Sequence, residues 1–302
     1  MAVTSVIPVP PHFRFWATVS SHGWCALPPF GYDDDSQTLT RIQQLNNGSV
    51  VRLTLTEAPD SALNISIEGL AGARSPDQQT DITLAVQRIL KLDHDLNEFY
   101  QMVSGHPRYG WIETLGAGRM LASPTVWEDL AKTLLTTNTT WNMTIQMCRR
   151  LVTLGNPYRD GAHAFPMPER LAAMNPDDLN AHVRAGYRGA YLHELATRVA
   201  SGELDVESWR DPTVSSADLY KRIKGLKGFG DYAAGSMLKL LGHYDRLATD
   251  TACRAVYRDS INGGTPAADD REIAAYYEPF GRWRGLVQWM DVMGPHLQNL
   301  EP

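Results

Sequence analysis

The sequence is poor in cysteine and contains no long hydrophobic run. Its three cysteines among 302 residues, Cys25, Cys148 and Cys253, lie far apart and form no CxxC pair. This excludes a disulfide framework, a four-cysteine zinc site and a four-cysteine iron–sulfur cluster, and it fits a reducing compartment. No stretch approaches the roughly 18 apolar residues that a membrane-spanning helix needs. Residues 1–20 also lack the basic start and apolar run of a secretory signal.

Metal-ligand spacings and excess positive charge are also missing. The histidines at 94, 163, 182 and 193 show no HxxxH or similar spacing, so we predict no metal site and no cofactor. A net charge of −6 argues against a protein that covers nucleic acid by bulk charge. A local basic surface is still compatible with that charge, because phosphate binding depends on the local field and on backbone donors.

The chain divides into a β-rich start and a helical remainder. Three stretches are aromatic, β-branched or alternating and predict strands: 13–19, 50–56 and 63–68. Residues 57–61 predict a hairpin, residues 38–46 predict a short helix, and 69–77 predict a polar link. We therefore predict a small N-terminal α+β domain over 1–75 and a helical domain over 76–302.

Helical periodicity dominates after the link. Apolar residues predict helical structure from 84 to 99 with a break near Asp93, and Ser123-Pro124 predicts an N-cap followed by an N1 proline. Further helices are predicted over 140–154, 168–174, 175–183 and 190–201. No strong strand pattern follows Gly105.

Residues 215–241 predict two short helices joined by a tight turn. Ser215 and Asp218 have capping-box spacing, and one helical face is apolar, with Leu219, Ile223 and Leu226. The turn Leu226-Lys227-Gly228-Phe229-Gly230 ends the first helix, and Asp231 is positioned to cap the second. The plain interpretation of this pattern is a glycine-terminated αα-hairpin.

The free backbone N–H groups and the positive charge of this hairpin favour binding of a phosphate. The free N–H groups at the start of the second helix suit a phosphate. The hairpin carries four basic residues and two aspartates, which gives a local charge of +2. The basic residues are Lys221, Arg222, Lys224 and Lys227. The hairpin is therefore predicted to clamp DNA without reading its sequence.

Asp250 lies 18 positions after Tyr232, behind a short apolar run and at the predicted start of another helix. As a simple N-cap it would stabilise that helix by about 1 kcal/mol.

These elements together resemble a known signature. The stretch 226–234 followed by Thr249-Asp250-Thr251 resembles the helix–hairpin–helix (HhH-GPD) DNA glycosylase superfamily, and the chain is most similar to the branch of 3-methyladenine DNA glycosylase II (AlkA) and 8-oxoguanine DNA glycosylase. Three more segments resemble family parts: 136–140, which enters DNA in the family, 186–192 and 277–283. The resemblance implies a mainly α fold, with the small α+β domain preceding a two-lobed helical domain. It also implies hydrolysis of the N-glycosidic bond of a damaged base flipped out of the duplex.

The resemblance implies roles for single residues. Asp250 would stabilise the positive charge that develops on the sugar and orient the water. Tyr232 stands where strand-nicking members carry lysine, which implies a hydrolytic, monofunctional enzyme. Lys227 replaces a proline common in the hairpin and adds a phosphate-binding charge.

The remaining expected contacts form two groups. The base pocket is expected to be walled by aromatic rings, each of which could instead be ordinary core: Tyr232, Trp283, Trp141 and Tyr109. DNA contacts are expected from the hairpin and from two outlying residues: Leu226, Lys227, Gly228, Phe229, Gly230, Lys224, Asn138 and Arg188. The alternatives are a C-cap for Asn138 and a surface ion pair for Arg188.

The predicted partner is double-stranded DNA with a damaged base, bound by a monomer without membrane association. The location would be cytoplasmic and nucleoid-associated in a bacterium, or nuclear in a eukaryote. The first expectation for the substrate is an alkylated purine, from the resemblance of 277–283 and from the cation–π attraction of an aromatic pocket. The alternatives are 8-oxoguanine, and a catalytically silent binder of damaged DNA.

Overall fold

The computed structural model describes residues 3–70 and 73–300. The strands are β1 Val3–Pro8, β2 Phe30–Asp33, β3 Thr38–Gln44, β4 Val50–Ala58 and β5 Ala62–Glu68. The helices of the first half are α1 Phe15–Val19, α2 Pro76–Leu90, α3 Asn97–Val103, α4 Trp111–Thr114, α5 Val126–Thr136 and α6 Trp141–Val152. Those of the second half are α7 Pro168–Ala172, α8 Pro176–Val183, α9 Tyr187–Ala200, α10 Ser216–Lys224, α11 Asp231–Leu241, α12 Thr251–Val256, α13 Asp270–Tyr277 and α14 Arg284–Leu297.

The five strands form one antiparallel sheet in the order β1-β5-β4-β3-β2. Buried and less buried residues alternate along β4 and β5, so one face of the sheet packs inward. The predicted strands at 50–56 and 63–68 and the hairpin between them are confirmed. With about half of its residues helical, the protein has the predicted mainly α fold.

Two predictions for the N-terminal part are wrong. Residues 38–46 do not form a helix, because β3 pairs with β2 on one side and β4 on the other. Phe15–Val19 forms α1 instead of a strand, and Phe15, Trp16 and Val19 are buried on it. Packing of these large side chains overrides their strand propensity.

Smaller differences concern helix starts and the link. Thr125, not Ser123, caps α5, since its hydroxyl accepts the N–H of Glu128, while Ser123 binds Asp129 through its own N–H. Helix α9 starts three residues before the predicted position. The predicted link 69–77 includes residues 71 and 72, which lie outside the described residues.

Two groups of buried apolar side chains hold the chain together. The first runs from the inner face of the sheet to α5, α6, α9, α10 and α11. The second joins α3, α4, α13 and α14. Trp289 of α14 packs against both groups. The division at residues 75 and 76, and the two lobes, stay predictions.

A buried ionic group fastens the sheet to α5. Glu128 accepts hydrogen bonds from Arg41 of β3 at 2.9 and 2.6 Å. It also forms an ion pair with Lys132 at 2.7 Å. Both cations also lie 4.6 Å from the centroid of the Phe30 ring. Burial alone would raise the pKa of the Glu128 carboxyl, but the two cations lower it to about 2.

We expect Glu128→Gln to lower the free energy of unfolding at pH 7 by about 3–5 kcal/mol, because two buried cations lose their counter-charge. The carboxyl has a lower pKa in the folded than in the unfolded chain, so its contribution is complete above about pH 4.5 and is lost as the pH falls towards about 2. Urea unfolding at pH 7 and pH 3 should show a weaker pH dependence in the variant. The exposed Glu57→Gln is the control, and equal stability of the two variants would contradict the account.

Candidate active site

Helices α10 and α11 form the predicted hairpin. The hydroxyl of Ser215 accepts the N–H of Asp218 at 3.1 Å, which confirms the cap of α10. The N-cap of α11 is Gly230 rather than the predicted Asp231. The Asp231 carboxylate instead accepts hydrogen bonds from Tyr220 and Lys224, both on α10. The start of α11 is therefore joined to α10 and is left without a side-chain cap.

The two glycines of the turn have different physical roles. Gly228 has a φ of +86°, and a Cβ there would lie 2.5 Å from Leu134 and 2.9 Å from Tyr191. Gly230 has nothing within 4 Å of its Cβ position. Gly228 is thus needed for the turn and its packing, whereas Gly230 leaves open space beside the first N–H groups of α11.

The other hairpin residues divide into buried and exposed ones. The side chains of Leu226 and Phe229 are buried, so these residues can offer only backbone groups to a ligand. Lys224 pairs with Asp231, and Lys227 pairs with Glu194 at 2.7 Å. Lys221 and Arg222 are exposed and make no ion pair within residues 3–70 and 73–300.

Asp250 lies at the N-terminus of α12, held close to α11. Its Oδ1 accepts the N–H of Cys253 at 2.8 Å, so it is an N-cap as well as a candidate catalytic group. The approach to α11 occurs at Gly235, where a Cβ would lie 2.5 Å from the carbonyl oxygen of Leu247. Because Gly235 has no side chain, the segment before Asp250 packs directly on α11, the helix that carries Tyr232.

Asp250 and Tyr232 line the same cleft of about 730 Å³. Trp141 also lines it and is 41% exposed, which suits a wall that meets a ligand. Burial, and next the charge of Asp250, raise the pKa of the Tyr232 phenol, so it stays protonated near neutral pH. A carboxylate thus faces a space bounded by aromatic rings.

Three further walls of the cleft were missed by the sequence interpretation: His22, Trp24 and Trp289. The indole of Trp24 donates to Asp129 at 2.8 Å, and that of Trp289 donates to the carbonyl oxygen of Ser21 at 2.9 Å. No local pattern marks these residues, because only the tertiary fold brings residues 22–24 and α14 together.

The other two residues expected in the base pocket lie elsewhere. Tyr109 is buried and donates its hydroxyl to Asp291 at 2.8 Å, within the second core group. Trp283 stacks on Tyr244 with 5.5 Å between ring centroids. Both rings belong to the core, and the cleft with Asp250 does not include them.

The structure separates the roles of Asn138 and Arg188. Asn138 has a φ of +45° and lines the cleft, where its amide donates to the Tyr187 hydroxyl at 3.2 Å. Arg188 is buried and donates to the carbonyl oxygens of Thr137 and Asn138. Its guanidinium forms no surface ion pair with the described residues, and it is not exposed to solvent where it could contact DNA. It supports the loop that holds Asn138.

Within the described ranges, no three metal-ligating side chains come together. No helix among those residues is long and apolar enough to cross a membrane.

Solved structures with a similar fold cover nearly the whole chain. A 3-methyladenine DNA glycosylase from Archaeoglobus fulgidus is 17% identical with a TM-score of 0.75, covering 98% of this chain and 100% of its own. An 8-oxoguanine glycosylase/lyase from Clostridium acetobutylicum is 15% identical with a TM-score of 0.72, covering 96% and 95%. MBOgg1 is 20% identical with a TM-score of 0.72, covering 98% and 96%.

The chain has the fold of the helix–hairpin–helix DNA glycosylases. The sequence matches no family model, and no curated protein is similar enough to count as a match. The hairpin leads directly into α11, whose Tyr232 lines the cleft together with Asp250.

We expect the two hairpin glycines to differ in their tolerance of alanine. Gly228→Ala should lower the free energy of unfolding by about 1–3 kcal/mol, because the left-handed backbone and the contacts with Leu134 and Tyr191 both oppose a Cβ. Gly230→Ala should change it by less than about 0.5 kcal/mol. Urea unfolding of both variants tests this, and an equal loss in both would contradict the assigned geometry.

Proposed function

We propose that the protein is a DNA glycosylase that hydrolyses the bond between a damaged base and deoxyribose in duplex DNA. The observation that carries the proposal is a helix-capping carboxylate, Asp250, inside an aromatic cleft next to the hairpin. The similar solved structures support it, since they are glycosylases for 3-methyladenine and 8-oxoguanine, one of them bound to duplex DNA. The partner would be DNA with a damaged base.

The cleft suits a flipped nucleotide. Extrusion of a base from the duplex costs a few kcal/mol, which stacking against aromatic side chains offsets in part. Trp24, Trp141, Tyr232 and Trp289 supply such rings. The open side of Gly230 and the first N–H groups of α11 would receive a backbone phosphate, with Lys221 and Arg222 nearby in sequence adding positive charge.

Asp250 would act on the sugar. As the N-glycosidic bond breaks, electrons leave with the base and positive charge develops at C1′ of the sugar. A carboxylate beside that carbon stabilises the charge and orients a water, whose oxygen bonds to C1′ while its proton is released to the leaving base or to solvent. Because Oδ1 is fixed by the Cys253 N–H, the carboxylate keeps one orientation during the reaction.

The reaction is proposed to be hydrolytic, without strand cleavage. A lyase step needs an amine that attacks C1′ and forms an imine, and a phenol at position 232 cannot do this. For the base, the aromatic walls alone fit both an alkylated purine and 8-oxoguanine.

We expect Asp250→Asn to keep duplex binding and to lose base release by at least about a hundredfold, because the amide cannot stabilise the sugar cation. The measurement is single-turnover base release from a panel of lesion duplexes, scored by strand cleavage after alkali. Asp269→Asn is the matched control, since Asp269 caps α13 through the N–H groups of Arg271 and Glu272 and lies outside the cleft. Near-normal release by Asp250→Asn would remove Asp250 from the mechanism. Duplex binding without release from any lesion would instead identify a silent binder.

We expect borohydride added during the reaction to trap no covalent protein–DNA adduct with the native protein. The Clostridium acetobutylicum glycosylase/lyase serves as the positive control. Tyr232→Lys should gain a weak adduct, because it places an amine in the cleft that contains Asp250, and burial makes loss of its proton easier. An efficient adduct from the native protein would refute the hydrolytic assignment.

A further inference from the structure

The cleft borders a small chamber of about 40 Å³. Cleft and chamber share five lining residues: His22, Trp24, Thr136, Tyr232 and Trp289. At about 10–15 Å³ for each water, the chamber holds on the order of three waters. It is too small for a base but admits the substituted edge of a base that lies in the cleft.

Lys239 of α11 lines this chamber but not the cleft, whereas Tyr232 lines both. Lys239 is 1% exposed, and its Nζ has no hydrogen-bond partner within the described part of the chain. The Nζ lies 4.9 Å from the centroid of the Trp289 ring. Two other buried lysines are satisfied, Lys91 by the carbonyl oxygen of Leu240 and Lys132 by Glu128. An unsatisfied buried donor is unfavourable to folding and calls for a functional reason.

Among the residues that the structure describes, no negatively charged side chain lines the chamber to compensate Lys239. His22 donates Nε2–H to the carbonyl oxygen of Leu121 at 2.5 Å, and burial first, then nearby lysines, lower its pKa to about 4, so it is neutral at pH 7. Burial also lowers the pKa of Lys239, opposed by the more distant Cys253 and Asp250. Whether charged or neutral, the amine presents N–H donors in a space that otherwise holds hydroxyls, the thioether of Met120 and rings.

We propose that Lys239 selects the base, so that the chamber receives a carbonyl oxygen at the edge of a neutral damaged base and rejects a cationic alkylated purine. A carbonyl oxygen would accept the N–H that Lys239 now leaves unpaired. A cationic base would meet a like charge on the protonated amine. With the amine neutral, it would still find the face of Trp289 that could give a cation–π contact occupied by Lys239. This inference rests on the proposed function, and it favours the oxidised-purine alternative over the alkylated purine expected first.

The position of Lys239 also limits its role. Lys239 lines the chamber and not the outer cleft, while Asp250 lines the outer cleft and not the chamber. The amine thus lies at the end that receives the base edge, away from the carboxylate that faces the sugar. Lys239 is assigned to base recognition and not to attack on C1′.

The test compares single-turnover base release from duplexes containing 8-oxoguanine, uracil or 7-methylguanine. The first two bases are neutral and carry carbonyl oxygens, and the third is cationic. We expect the native protein to release a neutral base faster than 7-methylguanine. Lys239→Met, which keeps an unbranched side chain one atom shorter and removes the N–H donors, should lower the ratio of neutral to cationic release at least tenfold.

Two further variants separate recognition from folding. Lys91→Met removes another buried ammonium outside the cleft and should leave the ratio unchanged. Lys239→Met should unfold at the same or a higher temperature than the native protein, because it removes an unsatisfied buried donor. Lys239→Gln, which keeps an N–H donor without charge, should retain release of the neutral base and gain release of 7-methylguanine. If Lys239→Met does not fold, Lys239→Gln alone tests whether Lys239 selects the base.

An unchanged ratio in the Lys239 variants, or faster release of 7-methylguanine by the native protein, would overturn the inference while leaving a glycosylase dependent on Asp250. Absence of release from every lesion, by native protein and Asp250→Asn alike, would instead refute the proposed function, and the inference with it.

Discussion

The close contact between α11 and the segment before Asp250 is the constraint on which the rest of the site depends. A Cβ at Gly235 would lie only 2.5 Å from the carbonyl oxygen of Leu247, so this position excludes any side chain. One helix therefore carries the hairpin at its N-terminus, Tyr232 in its first turn and Lys239 two turns further on, while Asp250 is held against the same helix. Helix α11 therefore fixes the spacing of the hairpin, Tyr232 and Lys239, and its buried face is part of the main core.

The N-terminal segment completes the site from the other side. Trp24 and Trp289 are each fixed by an indole hydrogen bond, to Asp129 and to the carbonyl oxygen of Ser21. A Cβ at Gly23 would lie 2.3 Å from Trp141, so this glycine lets the segment pack directly on the exposed wall of the cleft. The buried group of Arg41, Glu128 and Lys132 holds the sheet to α5, and thereby supports these walls. The small sheet is thus connected to the site through packing.

Features of the fold and the site could be predicted from the sequence where their residues lie within one short stretch of the chain. The hairpin and Asp250 were predictable because their residues lie within one short stretch with its own caps and periodicity. The walls His22, Trp24 and Trp289 could not be found, since they meet only through tertiary packing of segments more than 200 positions apart. Tyr109 and Trp283 were misplaced because an aromatic residue in the core and one in a cleft look alike in sequence. Lys239 was overlooked for the opposite reason, as a lysine in a helix normally faces solvent.

The role proposed for Asp250 is to stabilise positive charge at C1′ of a nucleotide bound in the cleft. This role is tested by measuring the affinity for two abasic-site duplexes, one with a cationic pyrrolidine and one with a neutral tetrahydrofuran in place of the sugar. The account predicts that the native protein binds the cationic duplex at least about tenfold more tightly, as expected for a mimic of the charged transition state, and that Asp250→Asn loses this difference while binding the neutral duplex normally. Equal affinity of the native protein for both duplexes would contradict the account.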